Sequence, residues 1–518
     1  MKILPQPKKF EKISGVFTID ESSVIYCNGE LRLQAERFAK MVLDSSGVVL
    51  PFTEEIDGAK IIFDKDENIK TEGYFVMLSQ GLATITCGSA TGCFYAVETL
   101  RQLFYLDRTQ TEITCGNCYI EDEPKFAYRG QHIDISRHFF GLDVLKRIVE
   151  LMSQVKLNKL HLHLTDDQGF RIQIDKYPLL TKIGSVRSGS EKVKNGKRYV
   201  DDEVVEGYLT KDDVKELVAF AHERNVDIVP EIDLPGHFVA ALAAYPEYSC
   251  AGQVSEVRKQ WGISKDVLCV GNDAAYTFVC DILDEICDLF PYEYVHLGGD
   301  EVPRDRWCNC KLCRERLAEL KLKDFDALQT YMVEQFRIHL ESKGKKVICW
   351  NDGITGATSK EIVSQVWKPF TKGNGVKEAN DGRRIILSPF FDMYFDYPYA
   401  MTPLKRTLKF NPLKGIRKNR VNNVWGVEGC LWTEYVDSQE KLFFNLLPRL
   451  DALAECCWGY NGADFSGRLK KRYEVYDKAN VVYNDCPRLK RGRNIRIINK
   501  FFKKDANIEL NDYYNKLK

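Results

Sequence analysis

At 518 residues the chain is too long for one small hydrophobic core, and its length predicts two or three domains. Lys plus Arg equal Asp plus Glu at 74 each, so no net basic field attracts nucleic acid or an acidic membrane. A hydrophobic content of 44% with 29% charged residues is ordinary for a soluble globular protein.

The N-terminal segment contains Pro5 and Pro7 and lacks the apolar stretch of a signal peptide. No later apolar run reaches the length of a transmembrane helix. We therefore expect a cytoplasmic protein that does not insert into a membrane.

The first part of the chain, residues 1–120, has the pattern of a separate, non-catalytic α+β domain. Two β-prone segments, Gly73–Ser79 and Leu82–Cys87, flank a Gln-Gly dipeptide and predict a hairpin. Between Ala90 and Leu106 apolar residues recur at helical spacing, which predicts a helix with one buried face.

A rhythm of strand, loop and helix then repeats through residues 121–484. About eight such units fit an α/β fold, a (β/α)8 TIM barrel, whose active site lies at the carboxyl ends of its strands. The predicted strands are Gly130–Ile135, Lys159–Leu164, Val226–Ile232, Tyr294–Leu297, Val347–Trp350, Ser364–Trp367, Ile385–Leu387 and Asn423–Leu431. Helical patterns between them include Leu142–Val155, Lys211–Glu223, Ala274–Leu289 and Ala327–Ser342.

Acids and large aromatic residues follow nearly every predicted strand. Because barrel chemistry collects on the rim formed by the carboxyl strand ends, this repetition indicates an active site. From the second strand to the eighth these residues are Asp166, His237, Asp300, Glu301, Trp350, Trp367, Tyr394, Asp396, Trp432 and Glu434, while Arg129 opens the first strand region.

Two adjacent acids, Asp300 and Glu301, follow two glycines at the end of the fourth strand. Neighbouring residues on an extended strand point to opposite faces, so we expect the two carboxylates to have different roles. Burial beside aromatic rings and a neighbouring negative charge favour a protonated carboxyl, which makes Glu301 the candidate general acid. Asp300 is expected to stay ionised and to hold a partly positive group. His237 is expected to link Asp166 to Glu301, with a purely structural loop histidine as the alternative.

The aromatic residues at the rim suit a sugar. Flat rings such as Trp350, Trp367 and Trp432 stack on the apolar faces of a pyranose. Charged side chains such as Arg129, Asp396 and Glu434 can hydrogen-bond its hydroxyls. For each tryptophan, packing in the core is the competing interpretation.

Five motifs in a fixed order resemble glycoside hydrolase family 20, the β-N-acetylhexosaminidases, over nearly the whole chain to about residue 484. They are Arg129-Gly-x-x-x-Asp134-x-x-Arg137-His138, His161-x-His163-x-Thr165-Asp166, Asp233-x-Pro235-Gly236-His237, His296-x-Gly-Gly-Asp300-Glu301 and Cys430-Leu-Trp432-x-Glu434.

The resemblance implies a retaining exo-enzyme that removes terminal β-linked N-acetylglucosamine or N-acetylgalactosamine from glycans or chitooligosaccharides. The 2-acetamido oxygen of the sugar is the nucleophile and forms an oxazolinium intermediate, so this family is an exception to the use of two equivalent carboxylates. Glu301 is implied as acid and base, Asp300 as the partner of the acetamido N–H, and Tyr394 as the donor to the acetamido oxygen. No metal or cofactor is implied. Sugar configuration and oligomeric state stay open, a homodimer being one option.

Two other function classes compete. A metal-dependent hydrolase would use His161 and His163 with Asp300, but after His296 only His339 remains, in a predicted helix. A non-catalytic carbohydrate-binding protein on the same scaffold is the other, although every member of the implied catalytic set is present.

Seventeen cysteines include two CxxC pairs, Cys115/Cys118 and Cys310/Cys313, with Cys308 beside the second. Because the pairs lie almost two hundred residues apart, we expect free thiols and no shared zinc site. The basic tail at residues 485–518 is expected to be a solvated helix, a partner-binding segment being the alternative.

Overall fold

The computed structural model describes residues 3–194, 197–250, 252, 254–368, 372–459 and 464–485. They fall into two compact units. The first contains residues up to 129 together with 151–157 and 451–481, and the second contains 130–150, 158–450 and the described residues from 482 on.

A seven-stranded mixed sheet with two helices forms the body of the first unit. Its strand order is β1-β7-β5-β6-β4-β2-β3. The strands are β1 (Lys9–Ile19), β2 (Ile25–Cys27), β3 (Phe52–Thr53), β4 (Ile61–Lys65), β5 (Tyr74–Ser79), β6 (Leu82–Cys87) and β7 (Ile113–Asp122), and the helices are α1 (Arg32–Ser46) and α2 (Ala90–Leu103).

Local sequence explains the hairpin and the helix predicted here. Gln80 and Gly81 both have positive φ, the conformation that a two-residue turn with the twist of its flanking strands requires. The Ser89 hydroxyl accepts hydrogen bonds from two backbone amides of the first turn of α2 and so fixes where that helix begins. The prediction of an α+β domain, with this hairpin and this helix, is therefore confirmed.

The division between the units differs from the predicted boundaries. Residues 451–481 belong to the first unit, whereas the pattern placed them in the barrel domain. Buried ion pairs account for this: Glu455 pairs with Arg468 at 2.7 Å and accepts from the Gln6 backbone amide, and Arg468 donates to the Ile3 carbonyl oxygen. Such pairings join segments far apart in sequence and cannot be recognised from local pattern.

A closed barrel of eight strands forms the second unit. Three small two-stranded pairs precede its third strand: β10 (Thr165–Asp166) with β11 (Gly169–Phe170), β12 (Val186–Ser188) with β15 (Val204–Glu206), and β13 (Glu191–Lys194) with β14 (Lys197–Val200). The barrel strands are β8 (Tyr128–Asp134), β9 (Lys159–His163), β16 (Asp227–Glu231), β17 (Tyr294–His296), β18 (Lys346–Trp350), β19 (Val363–Val366), β20 (Ile385–Leu387) and β21 (Val424–Leu431).

All neighbouring barrel strands with a described register are parallel, as connections through helices require. The helices from the third onward are α3 (Leu142–Gln154), α4 (Leu179–Lys182), α5 (Lys211–His222), α6 (Val239–Ala244), α7 (Asp273–Leu289), α8 (Asp305–Asn309), α9 (Lys311–Glu319), α10 (Phe325–Ser342), α11 (Lys372–Asn380), α12 (Phe390–Met393), α13 (Leu404–Lys409), α14 (Gln439–Leu446), α15 (Arg449–Cys457) and α16 (Phe465–Lys478).

The eight predicted strands coincide with β8, β9 and β16–β21 to within two residues at each end, so the barrel prediction is confirmed. Among the described residues, no helix is both long and apolar enough to cross a bilayer. The prediction for the basic tail falls on residues outside the described part of the chain, apart from its first residue.

Candidate active site

Asp300 and Glu301 lie on the loop after β17, and two glycines set their position. Gly298 and Gly299 both have positive φ, and a Cβ on Gly298 would overlap the Asp233 carboxylate. That carboxylate instead accepts the Gly299 amide at 3.0 Å. Since β17 ends at His296, the alternation of an extended strand, on which the prediction of unequal roles rested, does not apply to this pair.

The two carboxylates still differ, because their surroundings differ. Asp300 is 9% exposed, and its Oδ1 has no hydrogen-bond partner among the described residues. The Glu301 side chain is 32% exposed, and its backbone sits in the left-handed region at φ 49°. Burial, with Asp352 and Glu301 nearby, raises the pKa of Asp300 to about 7, although His237 opposes the shift. Burial thus works against the ionised form of Asp300 that the sequence led us to expect, and a ligand donor or a positive charge at the site would favour that form.

A chain of alternating acids and histidines reaches Glu301 from inside the barrel. Glu231 contacts His163 Nδ1 at 2.5 Å, and His163 Nε2 lies 2.9 Å from Asp166. Asp166 Oδ1 lies 3.2 Å from His237 Nδ1, and His237 Nε2 is 3.7 Å from Glu301. The structure thus places His237 between Asp166 and Glu301, in the position expected of a link.

The electrostatics of this chain favour a charged imidazole next to Glu301. Burial lowers the pKa of His237, but the negative charge of Asp166 outweighs it, and the net pKa lies well above the usual value. Burial likewise raises the pKa of Asp166, but Arg137 and His237 hold it well below its ordinary range. Asp166 therefore stays ionised and orients His237.

Arg129 is not at this site, which corrects its prediction as a sugar ligand. It begins β8 at the amino end, is completely buried, and bonds to Glu72 at 2.7 Å and to the Tyr95 hydroxyl at 2.8 Å. All of its side-chain donors face the first unit. Position on the strand was the available signal, since barrel sites form at carboxyl ends and Arg129 lies at the amino end of β8.

The arginine that the site contains is Arg137, after the carboxyl end of β8. Its guanidinium contacts Asp166 at 2.5 Å and Asp134 at 3.3 Å, and it lies 5.2 Å from the ring centre of Trp432. Charge interactions also link it to Glu434. Arg137 is present in the same sequence motif as Arg129, but its role was missed.

Aromatic residues from three strands gather beside the acids. The ring of Tyr394 lies 6.3 Å from Trp367 and 6.3 Å from Trp432, and these three rings form the aromatic wall of the site. Tyr394 is buried, whereas Trp367 and Trp432 are partly buried. Trp350 differs: it is 1% exposed, and its indole donates to Glu231 at 2.8 Å. Trp350 therefore packs beneath the aromatic wall and supports Trp432, whose ring centre is 5.9 Å away.

Asp396 and Glu434 form an acidic pair beside the aromatic wall. Burial and then the charge of Glu434 raise the pKa of Asp396 well above its usual range, and burial raises that of Glu434. Asp396 Oδ1 is a second buried oxygen with no partner among the described residues. Buried acceptors are nearly always paired in folded proteins, so these two oxygens indicate a polar ligand with donors.

Asp352 was recognised in the sequence as a strand-end acid but was given no role at the site. Its carboxylate accepts from the Glu301 backbone amide at 3.2 Å, from the Trp367 indole at 2.9 Å and from Lys368 at 2.7 Å. It therefore fixes the acid and one aromatic wall together. Its place directly after a barrel strand was a usable signal.

Histidines inside the barrel lie close enough to acids to hold a metal, in groups such as His161, Glu231 and His296. Carboxylates lie beside these rings: His161 lies 2.9 Å from Glu428 and 3.1 Å from Glu231, and His296 Nδ1 lies 3.0 Å from Glu231. His161 Nε2 and His296 Nε2 have no hydrogen-bond partner among the described residues. His339 is in α10, as predicted, and contacts Asp284. The contacts of His161 and His296 form a buried network of imidazoles and carboxylates inside the barrel.

Comparisons with known proteins agree with this geometry. The model of the catalytic domain of glycosyl hydrolase family 20 matches residues 126–461, and that of domain 2 of the same family matches residues 1–123. A β-hexosaminidase of Porphyromonas gingivalis is 33% identical over 511 residues, which cover 93% of this chain and 64% of that protein.

Two solved structures are also similar. The exo-β-N-acetylglucosaminidase from Vibrio harveyi in complex with N-acetylglucosamine has a TM-score of 0.83 at 26% identity, covering 93% of this chain and 78% of its own. The β-N-acetylhexosaminidase from Streptomyces coelicolor A3(2) has a TM-score of 0.79 at 29% identity, covering 94% and 98%.

Proposed function

Because the chain belongs to glycosyl hydrolase family 20, we propose that it is a retaining exo-β-N-acetylhexosaminidase acting on terminal N-acetylglucosamine or N-acetylgalactosamine. One observation carries the proposal. Asp300 is a buried carboxylate with an unpartnered oxygen, and its chain neighbour Glu301 is more exposed and contacts His237.

The nucleophile in this proposal is the sugar's own acetamido oxygen. This oxygen attacks the anomeric carbon as the glycosidic bond breaks, and a positive charge develops on the oxazolinium ring that forms. Asp300 Oδ1 accepts the acetamido N–H and opposes that charge, which shifts the carboxylate toward its ionised form. Tyr394 donates a hydrogen bond to the acetamido oxygen and holds it in line with the anomeric carbon. The reaction is faster because the nucleophile is already positioned next to the carbon that it attacks.

Glu301 is the general acid in the first step and the general base in the second. It protonates the departing oxygen in the first step, then removes a proton from the water that opens the oxazolinium ring, so the anomeric configuration is retained. His237 at 3.7 Å and Asp166 behind it hold the Glu301 side chain in place.

The remaining residues hold the ring. Trp367 and Trp432 offer flat surfaces to the acetyl group and the pyranose. Arg137, Asp396 and Glu434 supply donors and acceptors for hydroxyls, and the unpartnered Asp396 oxygen supports this assignment. No step in this scheme requires a metal or an organic cofactor.

Hydrolysis of three matched chromogenic glycosides tests the proposal. The p-nitrophenyl β-glycosides of N-acetylglucosamine and N-acetylgalactosamine should release nitrophenol, and the β-glucoside, which lacks the amide, should react at least about 1,000-fold more slowly. The ratio between the first two also assigns the sugar configuration. Binding without turnover would instead indicate a carbohydrate-binding protein, and comparable rates on all three would contradict the amide's role.

A further inference from the structure

We propose that Cys250, Cys269, Cys310 and Cys313 bind one zinc ion. The Sγ atoms of three pairs, Cys250–Cys313, Cys269–Cys310 and Cys269–Cys313, are each 3.7 Å apart. All four sulfur atoms lie within 4.8 Å of one another. The second CxxC pair is thus completed by two other cysteines of the same unit, and not by Cys115 and Cys118.

These separations match a tetrahedral thiolate site. With zinc–sulfur bonds of about 2.3 Å, the edges of a regular tetrahedron measure about 3.8 Å, close to the three sulfur separations of 3.7 Å. A disulfide would need a sulfur–sulfur distance of about 2.05 Å, and none of these four cysteines is disulfide-bonded. Four thiolates in a tetrahedron favour zinc over the oxygen-binding ions Mg²⁺ and Ca²⁺.

The backbone around the four cysteines is closely fitted. Cys310 and Cys313 lie at the start of α9, and an isolated bridge between Ser249 and Leu268 brings Cys250 next to Cys269. Gly271 allows the loop to approach α9, since a Cβ there would overlap the backbone of Leu312 and Cys313.

The close approach of Gly271 to the backbone of Leu312 and Cys313 holds the loop that carries Cys269 against the start of the helix that carries Cys310 and Cys313.

The proposed ion would join the loops that carry the catalytic groups. The Leu268 amide donates to the Pro235 carbonyl at 2.9 Å, two residues before His237. The Trp307 indole donates to the Leu268 carbonyl at 3.0 Å, six residues after Glu301. One ion held by Cys269 and by the start of α9 thus ties the His237 loop to the Glu301 loop. This consequence for catalysis rests on the proposed function, whereas metal binding does not.

Metal analysis of the full-length chain, purified under reducing conditions from zinc-supplemented medium, tests the site. We expect one zinc per chain by inductively coupled plasma mass spectrometry. The variant Cys310→Ser/Cys313→Ser should retain less than about one tenth of that metal, whereas the control Cys115→Ser/Cys118→Ser should retain all of it. Equal loss in both variants, or retention in both, would overturn the assignment.

Native wild-type protein provides a test that no variant's misfolding can obscure. Titration with a thiol-binding mercurial should release one zinc per chain, detected with a chromogenic chelator, and replacement by cobalt should produce the charge-transfer absorption of a tetrathiolate site. A wild-type protein that contains no zinc and takes up no cobalt would refute the site. Hydrolysis measured on the same samples separates the two proposals, because zinc content does not depend on whether the chain cleaves glycosides.

Discussion

The two units differ in whether their buried carboxylate oxygens all have hydrogen-bond partners. In the first unit Arg129 pairs with Glu72, Lys156 with Asp122, and Arg101 with Glu98, at 2.7–2.9 Å, and no described carboxylate oxygen there is buried without a partner. In the barrel unit five carboxylates each have a buried oxygen with no hydrogen-bond partner among the described residues, and two of these, Asp300 and Asp396, lie in the candidate site. Removing one partner of a buried pair costs stability, whereas an unpartnered acceptor in a binding site can accept a hydrogen bond from a ligand. The following experiments test this contrast.

Glu301→Gln should have the largest effect on turnover. Removal of the proton donor should lower kcat on substrates with poor leaving groups by about 100- to 10,000-fold, while substrate binding persists. Initial rates on the N-acetylglucosaminides of phenol and of dinitrophenol measure it, with the smaller loss expected for dinitrophenol. Equal losses on the two substrates would remove Glu301 from the role of acid.

Asp300→Asn should lower kcat by about 100-fold or more, because a neutral amide cannot oppose the oxazolinium charge. It should also stabilise the free protein above neutral pH. The folded pKa of about 7 lies above the unfolded value, so ionisation costs stability as pH rises through that window. Thermal unfolding at pH 5 and pH 8 measures this, and we expect the substitution to stabilise the protein more at pH 8 than at pH 5, because the cost of ionisation accumulates from the unfolded pKa of about 4 up to about 7. A loss of stability at pH 8 would show that the unpartnered oxygen is not a reserved acceptor.

Two arginines, one at the amino end of β8 and one after its carboxyl end, provide the sharpest direct comparison. Arg137→Met should lower kcat/KM by about 10- to 100-fold through the loss of sugar contacts and of the Asp166 pairing. Arg129→Met should lower stability by about 3 kcal/mol, because Glu72 and several carbonyls lose their donor, with kcat/KM of the folded fraction little changed. If Arg129→Met lowered kcat/KM as much as Arg137→Met does, the contrast between the units would fail.

The pH dependence of kcat/KM should show the acid limb of Asp300. Because only its ionised form accepts the acetamido N–H and opposes the positive charge, activity should fall as pH drops below about 7, by about tenfold at one unit lower. Steady-state kinetics from pH 5 to pH 9 measure this. In Asp300→Asn that limb should disappear from the residual activity.

Sequence pattern predicted those features that local spacing determines. Each barrel strand has its own apolar run with a helix after it, so the fold and the positions of Asp300, Glu301 and Tyr394 followed from residues near one another. The errors concern pairings across the chain. Arg129 donates to Glu72, which is 57 residues away in the sequence, and Cys250 contacts Cys313, which is 63 residues away. Residue spacing in the sequence does not reveal such contacts. The backbone at Gly298 leaves the extended conformation, and the Asp233 carboxylate from another loop occupies the space that a side chain at Gly298 would need.

The central claim is that the amide of the bound sugar attacks its own anomeric carbon, and progressive fluorination of the acetyl group tests it most directly. Fluorine withdraws electrons from the carbonyl oxygen, so kcat/KM for the aryl N-acyl-glucosaminides should fall steeply from acetyl through mono-, di- and trifluoroacetyl. Rates that do not change along this series, or a glycosyl ester detected on the protein by mass spectrometry, would contradict the account.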